Sequence, residues 1–408
     1  MTRTPFRESL DLLRTRRFGT FWFASLFSNI GTWAQQVAQP WLLLSLGASS
    51  FLVGLDAFAM SAPVWLLTLA GGVLADRADR RRVITAFQSA QMLCPTLIVV
   101  LLLANAVHPW VIILLSLVVG ITDALSMPSY SSIVPSIVDH DQIPAGLALN
   151  STQFNISRIA GPALAGILMA SVGIVGCFIV SAVSYLPFIG VALWILPRRI
   201  EKQWSLGSLN MLRPFGDLGN ITRDTQMRGA LLTAFSSSFL CSPLITFCPV
   251  LVRNVLHGDA THFSATIGAF GIGGLLGGIS LLAVSASRDR RWLGSSFAAA
   301  FGLLLVAVAL DPWLWLLPWL LVLTGIAMSV TNISTNTLLQ TAAPPTFRGR
   351  TVSLFMLVSR GGMALGSLVT GLSVSFMGIR EALLLNGIAA IVLQVQIART
   401  WLRSPVIS

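Results

Sequence analysis

Four ionisable side chains stand inside long apolar stretches of this chain: Asp56, Asp123, Arg158 and Arg360. A charge at the centre of a membrane-crossing helix costs about 2.5 to 3.5 kcal/mol on insertion scales, so each is expected to have a partner or a task. Arginine presents a planar fork of donors that grips carboxylate or other anionic oxygen in a bidentate way. Ser157-Arg158 and Ser359-Arg360 repeat the same dipeptide, which suits two cations placed alike around an anionic ligand. The alternative is neutralisation inside each helix bundle, Arg158 by Asp123 and Arg360 by backbone carbonyls. Carboxyl groups in poorly hydrated surroundings change protonation with the charge of their neighbours. Asp123 and Asp56 are therefore the candidate proton carriers, with a gating role as the other option for Asp56, which lies near the outer surface.

Uncharged polar residues recur around these groups at helical spacing. Ser28, Thr32, Gln35, Gln36 and Gln39 fall on one helix face, as do Ser329, Asn332, Asn336 and Gln340; Asp123, Ser126 and Tyr130 form a third set, and Ser151, Asn155 and Arg158 a fourth. Amides facing lipid would leave donors and acceptors unsatisfied, so each stripe must meet protein or water. The expected substrate-contacting set is Arg158, Arg360, Gln35, Gln36, Gln39, Asn155, Tyr130, Asn332 and Asn336. Dry interhelical hydrogen bonding is the alternative. No metal site is expected: His257, Asp259 and His262 share one outer loop but make a weak ligand set, and Cys94, Cys177, Cys241 and Cys248 show no CxxC spacing and read as packing residues.

The elements that must position these residues follow from composition. The 408 residues are 55% hydrophobic and only 10% charged, a balance that fits a lipid solvent. Apolar stretches long enough to cross a bilayer as helices begin near Phe18, Phe51, Val83, Pro109, Pro144, Val172, Gly229, Phe263, Leu293, Pro312, Thr351 and Ile379. They do not alternate as barrel strands would. Trp110, Trp194, Trp292, Trp313 and Trp401 fall near span ends, where indoles settle at headgroup level. The expected class is an all-α membrane protein, twelve transmembrane helices in two pseudo-symmetric six-helix bundles. Residues 1–17 read as a cytoplasmic interfacial helix, 18–197 as the N-terminal bundle, 198–228 as a cytoplasmic linker, 229–402 as the C-terminal bundle and 403–408 as a cytoplasmic tail. Basic residues crowd the two tails and every second loop, while the opposite loops hold only Arg253 and Arg380. That asymmetry places both termini in the cytoplasm. The net charge of +11 is thus topological; scattered short loops make no continuous basic face for nucleic acid.

The halves echo each other. Asp79-Arg80-Arg81 corresponds to Asp289-Arg290-Arg291, Gly120-Ile121 to Gly325-Ile326, and Ser157-Arg158 to Ser359-Arg360, in the same order. Gly72-Val-Leu-Ala-Asp76-Arg77-Ala-Asp79-Arg80-Arg81-Arg82 resembles the loop signature of the major facilitator superfamily, with Asp79 where a glycine is usual. Leu149 to Gly166, Ser28 to Gln39 and Arg348-Gly349-Arg350 are similar to the branch that holds the enterobactin exporter and macrolide efflux pumps. The resemblance implies the two-bundle fold, a cavity between the bundles and secondary active efflux. Gly72, Asp76, Arg77, Asp79, Arg80 and Arg81 would then form a conformational latch. Gly161, Pro162 and Gly166 resemble the helix-bending antiporter motif. Pro40 and Pro128-Ser-Tyr-Ser-Ser132 depart from the pattern of that branch.

The expected function is a secondary active exporter of a small organic molecule, siderophore-like or otherwise anionic, working by alternating access in exchange for protons in the bacterial inner membrane. A broad-specificity multidrug or macrolide pump is the alternative, and a non-transporting receptor or scaffold the alternative from another class. An enzyme is not expected, since no nucleophile and base converge within the spans. The only lysine, Lys202, follows Glu201 rather than a glycine, so no phosphate loop for ATP is present. No cofactor and no nucleic-acid partner are expected beyond the proton gradient, the bilayer and the cargo, and the chain reads as a monomer.

Overall fold

The computed structural model describes residues 11–196, 224–281, 289–342 and 348–401. Most of the expected interfacial helix, most of the linker and the C-terminal tail lie outside the described residues, as do the side chains of Asp76, Arg77, Asn155, Arg348 and Arg350.

The chain divides into two compact units, Met1–Leu46 with Ala62–Gln203, and Gly47–Ser61 with Trp204–Ser408. The first contains α1 (Arg16–Ser45), α3 (Pro63–Arg77), α4 (Arg80–Leu103), α5 (Pro109–Ser131), α6 (Ile143–Ser171) and α7 (Ile174–Ile195). The second contains α2 (Ser50–Ser61), α8 (Thr225–Ser236), α9 (Pro243–Val250), α10 (Ala260–Ser280), α11 (Arg290–Leu310), α12 (Leu317–Ala342), α13 (Arg348–Met377) and α14 (Ile379–Trp401). Among the described residues every regular element is helical, because a helix pairs its own backbone groups where no water can. Ten stretches are apolar and long enough to cross a membrane. α1 and α6, at 30 and 29 residues, have the length as well, and their polar stripes dilute the hydropathy. Large apolar side chains such as Leu66, Leu103 and Phe376 point outward, as lipid-facing residues should.

The second expected span is divided between the units. Its outer half, α2, packs with α13 through small residues: a Cβ on Gly54 would meet the Ser367 carbonyl at 2.5 Å, and Gly371 lies against the same face. Phe247 of α9 closes the contact from the side.

The repeat seen in the sequence has a structural counterpart. Asp79 caps α4 by accepting from the Arg81 backbone N–H at 2.9 Å, and Asp289 caps α11 by accepting from Arg291 N–H at the same distance. Asp79 thus has a local task, satisfying an orphan donor at a helix start. The second copy goes further. Arg291 is only 4% exposed; its Nε and Nη2 grip the Asp289 carboxylate at 2.9 to 3.1 Å, and Nη1 donates to the Trp401 carbonyl at 3.5 Å.

Trp401 corrects an expectation. Its place near a span end suggests an interfacial indole like Trp110, Trp194, Trp292 and Trp313, which are exposed, yet Trp401 is fully buried. Gly229 makes the socket, since a Cβ there would lie 2.5 Å from the ring. Met227, Ala230, Leu231, Ala234 and Leu339 complete the cluster.

Burial disfavours the Asp289 carboxylate, but its bonds from the Arg291 side chain and backbone outweigh this and hold it below the usual range. A depressed acid contributes stability above its unfolded pKa of about 4 and loses it as pH falls through the folded value. Asp289→Asn is therefore expected to lower the melting temperature at pH 7 and to make it less acid-sensitive below pH ~4, as read by thermal unfolding of the purified protein.

Candidate functional site

In the first unit, α1 is held between α7 and α5 by its amides. Ser181 Oγ donates to Gln35 Oε1 at 2.7 Å, Gln35 Nε2 reaches Gln39 Oε1 at 3.3 Å, and Gln39 Nε2 donates to Ser116 Oγ at 2.7 Å. Thr32 Oγ1 bonds Tyr185 at 3.2 Å, and Ser184 donates to the Ser28 carbonyl at 3.4 Å. Most of this stripe therefore takes part in interhelical bonding, while Thr32, Gln35 and Gln36 keep part of their surface exposed. Gln36 is half-buried and makes no side-chain hydrogen bond among the described residues. Tyr130 stacks on Phe188 at 5.7 Å and lies 6.3 Å from Phe21, inside the core formed with Phe18, Trp22 and Ile84.

Arg158 sits on α6, its guanidinium 5.7 Å from the Trp33 ring centroid, within cation–π range. Phe154 meets Trp33 edge-on at 6.0 Å. Gly161 explains how the indole comes so close: a Cβ there would overlap that of Trp33, and the Ile30 carbonyl would be 3.0 Å away. This glycine serves close approach of α1 and α6. Pro162 is buried inside α6, and Gly166 is half-buried on it. Among the described residues no acidic side chain pairs with Arg158, so neutralisation by Asp123 does not occur. Asp123, half-buried on α5, and Asp56, 5% exposed on α2, are both engaged by neighbouring groups.

The latch residues are only partly described. Gly72 is open, with nothing within 4 Å of where a Cβ would stand, whereas its neighbour Gly71 abuts the Ala124 carbonyl. Arg80 is exposed and Arg81 half-buried. Arg82 Nε approaches Asp79 only to 4.0 Å.

In the second unit Arg360 is half-buried on α13 and is engaged by its surroundings. Asn336 Oδ1 accepts from Gln340 at 3.1 Å. Asn332 opens instead onto a crevice that it shares with Thr331, Ser237, Ser238 and Ser242. In the outer loop His262 lies 2.7 Å from the Asp259 carboxylate, and its backbone N–H donates to the same oxygen. Among the described residues no three potential ligands gather around a metal position.

A family model described as transmembrane secretion effector matches residues 8–406. The chain belongs to that family, within the major facilitator superfamily. It is 25% identical over 384 residues to the Staphyloferrin A transporter of Staphylococcus aureus (strain NCTC 8325 / PS 47), covering 91% of this chain and 93% of the relative. Macrolide efflux protein A of Streptococcus pyogenes is 21% identical, covering 91% and 92%. A crystal structure of the nucleoside transporter NupG superposes with a TM-score of 0.73 at 15% identity, over 96% of this chain and all of that one. This transmembrane secretion effector is accordingly a multi-pass membrane transporter of the exporter and efflux type, built on the major facilitator fold.

Two parts of the site escape sequence reasoning. Trp33 and Phe154, beside Arg158, look in the sequence like any other apolar residues of a span. Ser237, Ser238 and Ser242 belong to no polar stripe, although a serine run inside an apolar span is itself a signal.

Proposed function

We propose that the chain exports a small anionic organic molecule, siderophore-like in its carboxylate or other anionic oxygen, across the bacterial inner membrane by alternating access in exchange for protons. Both termini lie in the cytoplasm, the functional unit is a monomer, and the proton gradient is the energy source, with no cofactor.

Arg158 carries this reading: it is a cation at bilayer depth, stacked on Trp33 and unpaired with any described acid. A permanent cation in such a place is stabilised by an anion, and the cargo supplies one in each cycle. A substrate that takes up the Arg158 field alters the balance at Asp123 in the same unit, which gives proton exchange a physical route, and Asp56 is the second carboxylate proposed to carry protons. Asp79, Arg80 and Arg81, with Gly72, Asp76 and Arg77, act as the loop latch. The relatives include both a staphyloferrin transporter and a macrolide efflux protein; the unpaired arginine favours the former kind of cargo.

The test is uptake by inside-out proteoliposomes under an imposed pH gradient, comparing a citrate-type siderophore with a lipophilic cation. Siderophore uptake that collapses with the gradient supports the proposal. Robust cation flux without siderophore flux favours a multidrug pump. Asp123→Asn and Asp56→Asn, made one at a time, are expected to uncouple flux from pH in one case; coupling that survives both removes the two carboxylates from the proton path.

A further inference from the structure

The chain enters α1 through a locked turn. Residues 11–14 are helical and the path bends at Thr15, whose hydroxyl and backbone N–H both donate to the Leu12 carbonyl, at 2.7 and 3.1 Å. Gly19 lets this turn lie against α1, since a Cβ there would overlap the Leu13 carbonyl. Leu12 is buried in the core with Phe18, Trp22, Phe188 and Leu196. With the apolar side chains turned inward, Arg14, Arg16 and Arg17 are left exposed together. No acidic side chain stands in the first turn of α1. Asp11, the one acid in the described part of this entry segment, is engaged by another group, and among the described residues no ion pair involves the three arginines.

Trp194 shows where this cluster stands. It lies in the last turn of α7, in the same unit, and Val183, Leu186 and Leu193 on the same helix face are all exposed. That apolar face looks into lipid rather than at a neighbouring helix. Trp194 ends it, 53% exposed, in the position where an indole settles between hydrocarbon and water. The Arg16 guanidinium lies 4.9 Å from its ring centroid, within cation–π range. Arg16 is thereby held at headgroup depth, beside Arg14 and Arg17. Membrane topology alone requires basic residues on one side of the bilayer. It does not require an arginine seated on a lipid-facing indole.

We propose that Arg14, Arg16, Arg17 and Trp194 form a docking surface for the phosphate of an anionic phospholipid in the adjoining leaflet. The guanidinium forks take the phosphate oxygens in a bidentate way, and the acyl chains run along the exposed face of α7 past Leu193, Leu186 and Val183. With no unengaged carboxylate in the described part of the segment to receive an ammonium, a net-anionic headgroup is preferred over a zwitterionic one. The surface faces lipid and is independent of the cargo.

The full-length protein in detergent is titrated with phosphatidylglycerol and with phosphatidylcholine, and the bound lipids are counted by native mass spectrometry. Wild type is expected to prefer phosphatidylglycerol by about tenfold or more. Arg16→Gln should lower affinity for phosphatidylglycerol about fivefold, the effect of one cation at an anionic surface, and leave phosphatidylcholine unchanged. Trp194→Leu should lower it about two- to fivefold. Arg399→Gln, at an exposed arginine on α14 of the other unit, should leave it within about twofold. Where Arg16→Gln yields no folded protein, Arg17→Gln takes its place with the same expectation. Equal losses for the α1 and α14 variants would mean a diffuse charge effect and overturn the site. Displacement of the lipid by inorganic phosphate at about 10 mM, a few Debye lengths short of full screening, would overturn it as well, since the surface would then hold a free anion rather than a lipid.

Discussion

Arg158→Gln is expected to cut export of an anionic cargo by about 10- to 100-fold while leaving expression and melting temperature near wild type. The magnitude follows from hydrogen bonds to a charged group, worth about 1.5 to 3 kcal/mol, with tenfold in rate or affinity for each ~1.4 kcal/mol. The fold should tolerate the change because Arg158 pairs with no described acid, so none is left uncompensated. Arg158→Lys keeps the charge but not the planar fork and is expected to fall between the two. Trp33→Leu removes the surface beneath the guanidinium and should weaken transport more modestly, since a cation–π contact contributes about 0.5 to 2 kcal/mol. Initial rates in inverted vesicles, with Asn105→Gly on the exposed outer loop, which keeps the positive φ of 52° there, as a neutral control, separate these cases. Equal flux in wild type and Arg158→Gln would remove the arginine from the cargo path.

The architecture is legible in the sequence because twenty apolar residues in a row have few alternatives in lipid. The same pattern cannot say which neighbour a helix face meets. Gln35 and Gln39 are visible as one polar stripe, yet only the structure shows that Ser181 and Ser116 occupy them. Trp401 misleads because proximity to a span end carries no information about the Gly229 socket. Ser237, Ser238 and Ser242 escape notice for a geometric reason: the π-helical turn Ser237–Cys241 breaks the 3.6-residue period by which faces are grouped. Arg158 and Arg360 stand out because charge at bilayer depth is conspicuous in any register.

The largest structural effect is expected where α10 crosses α12. Gly273 lies so close to the Val322 carbonyl, and Gly325 to the Phe270 carbonyl, that a Cβ on either would overlap backbone; a Cβ on Gly277 would sit 2.8 Å from the Ile326 carbonyl. Carbonyl oxygens in a helix cannot rotate aside, so relief requires moving the whole helix, with loss of the dispersion contacts that hold helices together in lipid. Gly274, one residue along, has nothing within 4 Å of the corresponding position. Gly273→Ala and Gly325→Ala should therefore each cost at least the ~1 to 3 kcal/mol of an overpacked core, seen as reduced folded yield and a lower melting temperature. Gly274→Ala should be neutral or slightly stabilising, because alanine is the better helix former by about 1 kcal/mol. Gly273→Val is expected to abolish accumulation of folded protein altogether. Similar melting temperatures for Gly273→Ala and Gly274→Ala would mean that the two helices do not cross at this glycine seam, and the packing of the second unit would have to be redrawn.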